Sequence, residues 1–338
     1  MQLLQFILGI AALIFLHELG HFLAARFFKV EVEEFGIGFP PRLVKLFEYN
    51  GTTYSLNWIP LGGFVRIKGE NDPDVPGGLA AASPWVRLPI LLAGPLTNLA
   101  VGVILATMLF YTLGDPIPEI VLVRYVNEES PAAAAGLQPG DQFLTVNSET
   151  ISDMHQLIDL IDQNLDKPIQ VSVLRGQEAL TLTLTPRGQP PEGQGPMGVG
   201  LENPTRPISL LLAAQRGADM TYENIRGILL LPLRVLQGQV NPQESRLVGY
   251  KGMYDIYQEI QNPLYFFMVI SISLGVMNLL PIPALDGGRI LFTLPEIVIR
   301  RRIPAEYENV IHMVGFVLLL LLLFYINLQD FINPIQLP

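Results

Sequence analysis

The chain has 338 residues, of which half are hydrophobic and only 15% are charged. Soluble domains carry roughly 25% charged residues, so this composition predicts a membrane protein, and its length predicts about two folding units. The net charge of -10 argues against a general nucleic-acid binder, because phosphate contacts need a basic face. The chain has no cysteine, which excludes disulfides and thiolate metal sites and leaves His, Asp and Glu as metal ligands.

The first predicted element is an apolar helix over residues 3–28, which is long enough to span a bilayer. Its middle contains His17, Glu18 and His21, and ionisable groups in lipid are costly and usually functional. Histidines four residues apart lie on one face of a helix and can bind one metal ion, with Glu18 beside them as a general base. The motif H-E-x-x-H is short, and two packed histidines with a capping glutamate are the alternative.

Residues 30–70 are predicted to form a β-rich loop. The segment VEVEEF alternates apolar and acidic residues, and TTYSLNWIPLGGFVRIKGE contains two β-rich runs about Pro60 and Gly62-Gly63, which indicate a hairpin. Its edge could hold an unwound substrate segment as an added strand. An apolar tip favours a loop that dips into the bilayer interface over a plain cytoplasmic β cap; it consists of Trp58, Ile59, Leu61 and Phe64.

A second span is predicted over 85–113, and an α+β unit follows over 117–203. In this unit we expect a short helix, a strand, a tight turn at Asn147, an amphipathic helix and two alternating strands. The next segment, 205–262, contains an apolar run of about 12 residues that is too short to span. We expect an interfacial helix over 207–238 that screens access to the cleft between the spans.

Two further spans are predicted over 264–281 and 310–326. Lys and Arg near span ends mark cytoplasmic loops. This rule places the loops between spans one and two and between spans three and four in the cytoplasm, and it places both termini and the 114–263 segment outside. The basic residues concerned are Arg26, Lys29, Arg42, Lys45, Arg66, Lys68 and Arg87, then Arg289, Arg300, Arg301 and Arg302.

A catalytic zinc site needs three protein ligands and one open position. Of the remaining histidines, His155 is predicted to lie outside, whereas His312 lies near the inner end of its span and stays open as a ligand. Asp286 is the better candidate, since it follows the third span beyond two prolines and lies at a depth that matches the histidine pair. An ordinary Asp-Gly-Gly turn is the alternative for this segment.

Together these motifs resemble the site-2 protease family of intramembrane zinc metalloproteases, in the branch of the bacterial regulator of sigma-E protease. The family pairs H-E-x-x-H with N-x-x-P-x-P-x-L-D-G, and residues 278–289, NLLPIPALDGGR, match the second motif without departure. Residues 93–98, AGPLTN, resemble the family's G-P-x-x-N signature. The resemblance implies His17, His21 and Asp286 as zinc ligands and Glu18 as catalytic base. It also implies that Asn278 contacts the substrate or the developing oxyanion, and its neighbours Pro281 and Pro283 are further candidate substrate-binding residues.

The resemblance also implies a membrane re-entrant β loop, in which GGFVRIKGE is similar to the family pattern. This makes Gly63, Phe64, Val65 and Arg66 candidate substrate-binding residues. The 117–203 unit resembles a circularly permuted bacterial PDZ domain, most clearly at GLQPGDQFLTVN. In this order the loop that would bind a peptide carboxylate falls late, and the alternative for its segment is a linker with a strand. Its candidate residues are Met197, Gly198, Val199, Gly200 and Leu201. The domain could recruit clipped substrates by their new C-termini or act as a size filter against bulky outer domains.

The expected fold is a polytopic α-helical membrane protein with four transmembrane helices, a cytoplasm-side membrane-associated β hairpin or sheet, and one extracytoplasmic PDZ-like α+β domain. We expect an intramembrane metalloendopeptidase with one Zn²⁺ near the cytoplasmic face of a bacterial inner membrane. Its substrates would be single-span membrane proteins already cut by another protease, such as anti-sigma factors or signal-peptide remnants, with no nucleic-acid partner. A non-catalytic scaffold that binds peptides through the PDZ-like domain and a zinc transporter are the alternatives.

Overall fold

A computed structural model describes residues 1–191, 193–240, 246–260 and 262–334, without the side chains of Pro60 and Leu61. Its contacts divide the chain into two units, Met1–Leu109 with Ala214–Ile335, and Phe110–Ala213. In chain order the elements up to the second unit are α1 (Gln2–Phe27), β1 (Val32–Tyr49), β2 (Thr52–Ile67) and α2 (Pro84–Leu113).

The elements that follow α2 belong mostly to the second unit. They are β3 (Asp115–Pro116), β4 (Leu122–Val126), α3 (Pro131–Ala135), β5 (Gln142–Val146), β6 (Glu149–Thr150), α4 (Met154–Asp162), β7 (Ile169–Arg175), β8 (Glu178–Leu184), β9 (Val199–Glu202) and β10 (Thr205–Arg206). The last five helices are α5 (Leu210–Leu236), α6 (Tyr250–Glu259), α7 (Pro263–Leu279), α8 (Asp286–Ile299) and α9 (Ala305–Ile332).

Three helices in the described part of the chain are long and apolar enough to cross a membrane, namely α1, α2 and α9. The predicted third span corresponds to α7, which is apolar but has only 17 residues. Large apolar side chains along α9 are exposed, as expected of a helix that faces lipid. Helix α8, which begins at Asp286, was not predicted from the sequence.

Small residues bring α1 close to α2. A Cβ atom at Gly20 would lie 2.6 Å from the carbonyl oxygen of Ala93, so only glycine allows this approach. Close contact through small residues is the usual way in which helices pack in lipid, where the hydrophobic effect does not drive them together. The contact places the histidine pair of α1 against the middle of α2.

Strands β1 and β2 form an antiparallel pair joined at Asn50 and Gly51. These two residues have positive φ angles of 51° and 78°. Positive φ at both central positions and the Asn-Gly sequence are typical of a type I′ hairpin turn. The tight turn of the sheet therefore lies ten residues before the predicted one.

The predicted hairpin about Pro60 and Gly62-Gly63 is wrong. Residues 34–37 of β1 pair with 53–56 on one side and with 63–66 on the other, so the two β-rich runs are separated by β1 instead of pairing with each other. Gly62 has a φ of 77°, and a Cβ atom added at this position would clash with the side chain of Ile14 on α1. The glycines therefore serve a close approach to α1.

The second unit is built on an antiparallel sheet in the order β8-β7-β5-β4-β9, with β6 paired to β5. The predicted turn at Asn147 joins β5 to β6, and Asn147 has a positive φ of 49°. Helix α4 is amphipathic and buries Leu157 and Ile161 against the sheet, where they join a core that includes Phe143 and Val171. Burial of these apolar side chains stabilises the unit, because it removes apolar surface from water.

A buried carboxylate ties this sheet to the segment before β5. Asp141 accepts hydrogen bonds from Nε and Nη2 of Arg175 at 2.8 and 2.7 Å and from the backbone N–H of Gln138 at 2.9 Å. Burial raises the pKa of Asp141, but the hydrogen bonds from Arg175 and Gln138 outweigh burial and hold the pKa below its ordinary value. The stabilisation is therefore complete above about pH 4–5 and is lost as pH falls through the lowered pKa.

We expect Asp141→Asn to lower the stability of this unit by about 1.5 kcal/mol at pH 7, because the charged hydrogen bonds to Arg175 become neutral. This loss lowers the midpoint temperature of thermal unfolding by several degrees, since about 1 kcal/mol shifts that temperature by about 4–8 °C in a domain of this size. Calorimetry of the full chain in detergent measures the difference. The gap between Asp141→Asn and wild type should close towards pH 3, and a gap independent of pH would contradict this account.

Candidate metal centre and active site

Three side chains from two distant parts of the sequence meet beside α2. Nε2 of His17 and Nε2 of His21 lie 3.2 Å apart, and Oδ2 of Asp286 lies 3.1 and 3.2 Å from them. Among the residues that the structure describes, these three side chains form the group of His and acidic residues that could hold a metal ion. Both histidines are buried, with 8% and 7% of their surface exposed.

The donor set fits zinc in geometry as well as in chemistry. Zinc binds imidazole nitrogen and carboxylate oxygen at about 2.0–2.1 Å in tetrahedral geometry, which separates neighbouring ligand atoms by about 3.3 Å. The three atoms of His17, His21 and Asp286 are spaced at 3.1–3.2 Å in a nearly equilateral triangle. Three ligands leave a fourth position open, as in catalytic zinc sites.

Helix α2 fixes the orientation of the His21 ring. Nδ1 of His21 lies 2.7 Å from the carbonyl oxygen of Ile90, so Nδ1 carries the proton and Nε2 keeps its lone pair for a metal. Pro95 lies inside α2 one turn later and removes a helical hydrogen bond there. That bond would end at the carbonyl of Leu91, so the carbonyl of Ile90 keeps its place in α2 and accepts the bond from His21 with its second lone pair.

Asn98 of α2 performs the same task for His17. Its side-chain amide lies 3.3 Å from Nδ1 of His17, and its Oδ1 has no hydrogen-bond partner among the described residues. If His17 binds metal through Nε2, its Nδ1 is a donor and requires an acceptor. The two amide orientations have the same shape, so we assign the one in which Oδ1 of Asn98 faces His17.

Gly94 leaves the space that the ligand atoms occupy. A Cβ atom at this position would overlap Nε2 of His21 and would lie 2.8 Å from Nε2 of His17. Gly94 and Asn98 are four residues apart and therefore share one face of α2. The sequence matched the segment AGPLTN to a family signature, but it predicted neither the position of this segment beside the histidines nor the contact of Ile90 with His21.

We expect Gly94→Ala to reduce the zinc content of the purified protein at least about tenfold, because the new methyl group displaces the two histidine nitrogens. Metal analysis after dialysis measures this loss. Gly102→Ala is the matched control on the same helix, since its Cβ would meet only the flexible side chain of Ile272. Equal zinc content in Gly94→Ala and wild type would contradict the proposed position of the ion.

Glu18 lies on α1 beside the metal ligands and reaches the sheet. Its Oε2 accepts a hydrogen bond of 3.1 Å from the backbone N–H of Val65. This N–H therefore points to α1 and away from β1, which lies on the other side of the 63–66 segment. The predicted substrate-binding segment thus contacts the candidate base directly through Val65.

The other predicted substrate-binding residues have mixed positions. Gly63 is buried against the carbonyl of Gly36, and Phe64 lies beside the same glycine. Arg66 lies 3.2 Å from a carboxylate oxygen of the buried Glu34, so this contact directs it to the sheet. In the motif before α8, Nδ2 of Asn278 donates to the carbonyl of Leu274, Pro281 is exposed, and Pro283 packs on Gly315.

His312, which sequence reasoning left open as a ligand, contacts the loop before Asp286. Its Nδ1 accepts a hydrogen bond of 2.9 Å from the backbone N–H of Ala284. This contact occupies the nitrogen lone pair, and His312 is not part of the metal-binding group found among the described residues.

A groove of about 400 Å³ lies in the second unit between α4 and the segment that leads into β9. Three of the five predicted peptide-binding residues line it, namely Met197, Val199 and Leu201. Gly198 instead packs on Ser130, and Gly200 packs on the ring of Tyr125. Strand β9 is an edge of the sheet, so its outer side can accept another strand.

The comparisons with known proteins identify the family. The model of peptidase family M50 matches residues 5–322. A Campylobacter jejuni protein named as a zinc metalloprotease is 35% identical over 97% of this chain and 93% of its own length. A Clostridium perfringens protein, also named as a zinc metalloprotease, is 32% identical over 99% of this chain and 100% of its own length.

The regulator of sigma-W protease RasP of Bacillus subtilis is 27% identical over 97% of both chains. The PDZ domain of the SdrC-like protein of Listeria monocytogenes matches 26% of this chain and 92% of its own length, at 18% identity and a TM-score of 0.23. The chain belongs to peptidase family M50, the site-2 protease family. It is an integral membrane zinc metalloprotease, and the scaffold and transporter alternatives are set aside.

Proposed function

We propose that the chain is an intramembrane endopeptidase in which His17, His21 and Asp286 hold one zinc ion and Glu18 is the general base. The observation that carries this proposal is the near-equilateral triangle of three ligand atoms at zinc spacing within apolar helices. Zinc at this position supplies Lewis acidity, which makes water a stronger nucleophile and polarises the substrate carbonyl. Glu18 would accept the proton of the attacking water and pass it to the nitrogen of the leaving amine as the C–N bond breaks. It is held beside the ligands by α1 and Val65.

We further propose that the substrate adds as a strand at the outer edge of residues 63–66. A transmembrane helix hides its peptide bonds in its own hydrogen bonds, so a segment must be extended before it is cut. The N–H of Val65 points away from β1, which supports an edge that can pair with an extended substrate. In this arrangement the substrate carbonyl replaces the carboxylate of Glu18 at Val65, and the freed carboxylate turns to the scissile bond.

We expect Val65→Pro to lower the cleavage rate by at least about tenfold, because proline removes the edge N–H that bonds Glu18 and that would bind the substrate backbone. Proline is tolerated at edge positions whose N–H does not bond within the sheet, so the fold and zinc content should be retained. Cleavage kinetics with a tagged single-span substrate measure the effect, and Val65→Ala is the matched control that keeps the N–H. Full activity of Val65→Pro would contradict strand addition at this edge.

The membrane arrangement is also part of the proposal. The basic residues between α1 and α2 and between α7 and α9 favour a cytoplasmic position for those segments, with α7 as the fourth, short span. Exposed apolar residues on the β sheet, such as Phe39, Phe47 and Trp58, support contact of its tip with the bilayer interface. The second unit then lies outside, and α5 and α6 lie at the outer face, where α5 would screen access to the cleft.

The groove of the second unit is proposed to bind the C-terminal end of a substrate that another protease has cut. Its lining is mainly apolar, and the edge strand β9 offers backbone partners to an extended peptide. Single-span membrane proteins, including anti-sigma factors and signal-peptide remnants, are the proposed substrates, and the proposed location is a bacterial inner membrane.

The function is tested with purified protein in proteoliposomes that contain a tagged single-span protein shortened on its outer side. We expect cleavage within the transmembrane segment, loss of cleavage on removal of zinc by a chelator, and recovery when zinc is restored. Mass spectrometry of the products locates the cut. Products cut only outside the transmembrane segment, or cleavage that resists zinc removal, would contradict the proposal.

A further inference from the structure

The loop between α7 and α8 delivers Asp286 to the histidine pair. Its residue Ala284 has a φ of 75°, a left-handed conformation that is unfavourable for a residue with a Cβ atom. Gly287 and Gly288 come directly after Asp286 at the start of α8, and a Cβ atom on either would collide with carbonyl oxygens of the preceding segment. The loop is therefore tightly folded, and the position of Asp286 depends on what holds Ala284.

Helix α9 supplies that support through two residues on one face. Nδ1 of His312 accepts the hydrogen bond from the N–H of Ala284 at 2.9 Å, and Gly315 packs against Pro283. Residues three apart on a helix are neighbours, so His312 and Gly315 form one contact surface for the loop. The ring of His312 also packs against Phe292 of α8, with a centroid separation of 5.6 Å.

We propose that His312 is a positioning residue that fixes Asp286 for zinc binding by holding Ala284 in its left-handed conformation. The acceptor at Nδ1 requires the imidazole proton to reside on Nε2, so the ring acts as a neutral acceptor at the loop. This inference rests on the proposed role of Asp286 as a zinc ligand. It assigns to α9, which contributes no ligand, control over the geometry of the metal centre.

The test compares two substitutions at His312 in the full-length protein. His312→Phe keeps a ring against Phe292 but has no acceptor, whereas His312→Asn presents an oxygen close to the former position of Nδ1. We expect zinc release to a chromogenic chelator to be at least about tenfold faster in His312→Phe, which is the range found when partners of metal ligands are removed. His312→Asn should remain within about threefold of wild type.

A second substitution separates support of the loop from packing. In the His312→Phe background, Ala284→Gly should slow zinc release again, because glycine adopts the left-handed conformation without help. His155→Phe in the second unit is the control for loss of a histidine and should leave zinc release unchanged. If His312→Phe does not fold, His312→Ala gives the same comparison with a smaller side chain on α9.

Zinc release from His312→Phe at the wild-type rate would overturn the proposal. Equal acceleration in His312→Phe and His312→Asn would also overturn it, because ring packing rather than the acceptor would then matter. If the variants release zinc at the expected relative rates but the wild-type protein cuts no transmembrane segment, the proposed function is refuted and this inference stands.

Discussion

Glu18→Gln is expected to lower the cleavage rate by about 10²–10⁴-fold, the usual contribution of a general base, while zinc content stays at the wild-type level. Glutamine has nearly the same shape, and its Oε1 can still accept the bond that Glu18 accepts from Val65. What it loses is the carboxylate that takes the proton from water. The measurement is the initial rate of product formation from a tagged single-span substrate, together with metal analysis of the same preparation.

Glu33→Gln is the matched control for this substitution, because Glu33 is an exposed residue of the same charge near the start of the sheet. It should cleave at the wild-type rate. If Glu18→Gln cleaves as fast as Glu33→Gln, Glu18 is not the base. If Glu18→Gln instead loses zinc, its role is structural and the proposed division between base and ligands is wrong.

Asp286→Ala is expected to lose zinc almost completely, with an affinity that falls by more than about 100-fold. Removal of a direct ligand should exceed the 10–100-fold effect of removing its partners. Two buried histidines would remain, and cleavage should fall to background because the ion is absent. Isothermal titration with zinc after chelator treatment measures the affinity.

Asp255→Ala serves as the control for Asp286→Ala, since Asp255 pairs only with Lys251 on α6 in the described residues. Its zinc affinity should match wild type. Retention of tight zinc binding in Asp286→Ala would show that a group other than Asp286 completes the site and would overturn the three-ligand assignment.

The position of the hairpin turn was open to sequence reasoning but was predicted wrongly. The pair Asn50-Gly51 is a strong hairpin signal, and the structure has its tight turn there. The prediction instead placed the hairpin near Gly62, where glycine serves a close approach to Ile14. A glycine needed for contact and a glycine needed for a turn are the same letter in the sequence, and only the neighbouring helix distinguishes them.

Short motifs in the sequence predict the chemistry of the site. His17 and His21 are local on one helix, so their spacing predicts a shared ligand face without any knowledge of the rest of the chain. The absence of cysteine limited the remaining ligands, and Asp286 was identified by depth and by family resemblance. The length and apolar composition of single segments likewise predicted the three long apolar helices.

The surroundings of these residues follow from the packing of the helices. The carbonyl of Ile90, the amide of Asn98 and the Nδ1 of His312 reach the site from other helices, across sequence separations of 69, 81 and 28 residues from the groups that they contact. No local pattern encodes such contacts, because they depend on how closely Gly20 and Gly94 let α1 approach α2 and on how α9 packs against a left-handed loop. The ligands can be read from short motifs, whereas their orientation is a property of helix packing.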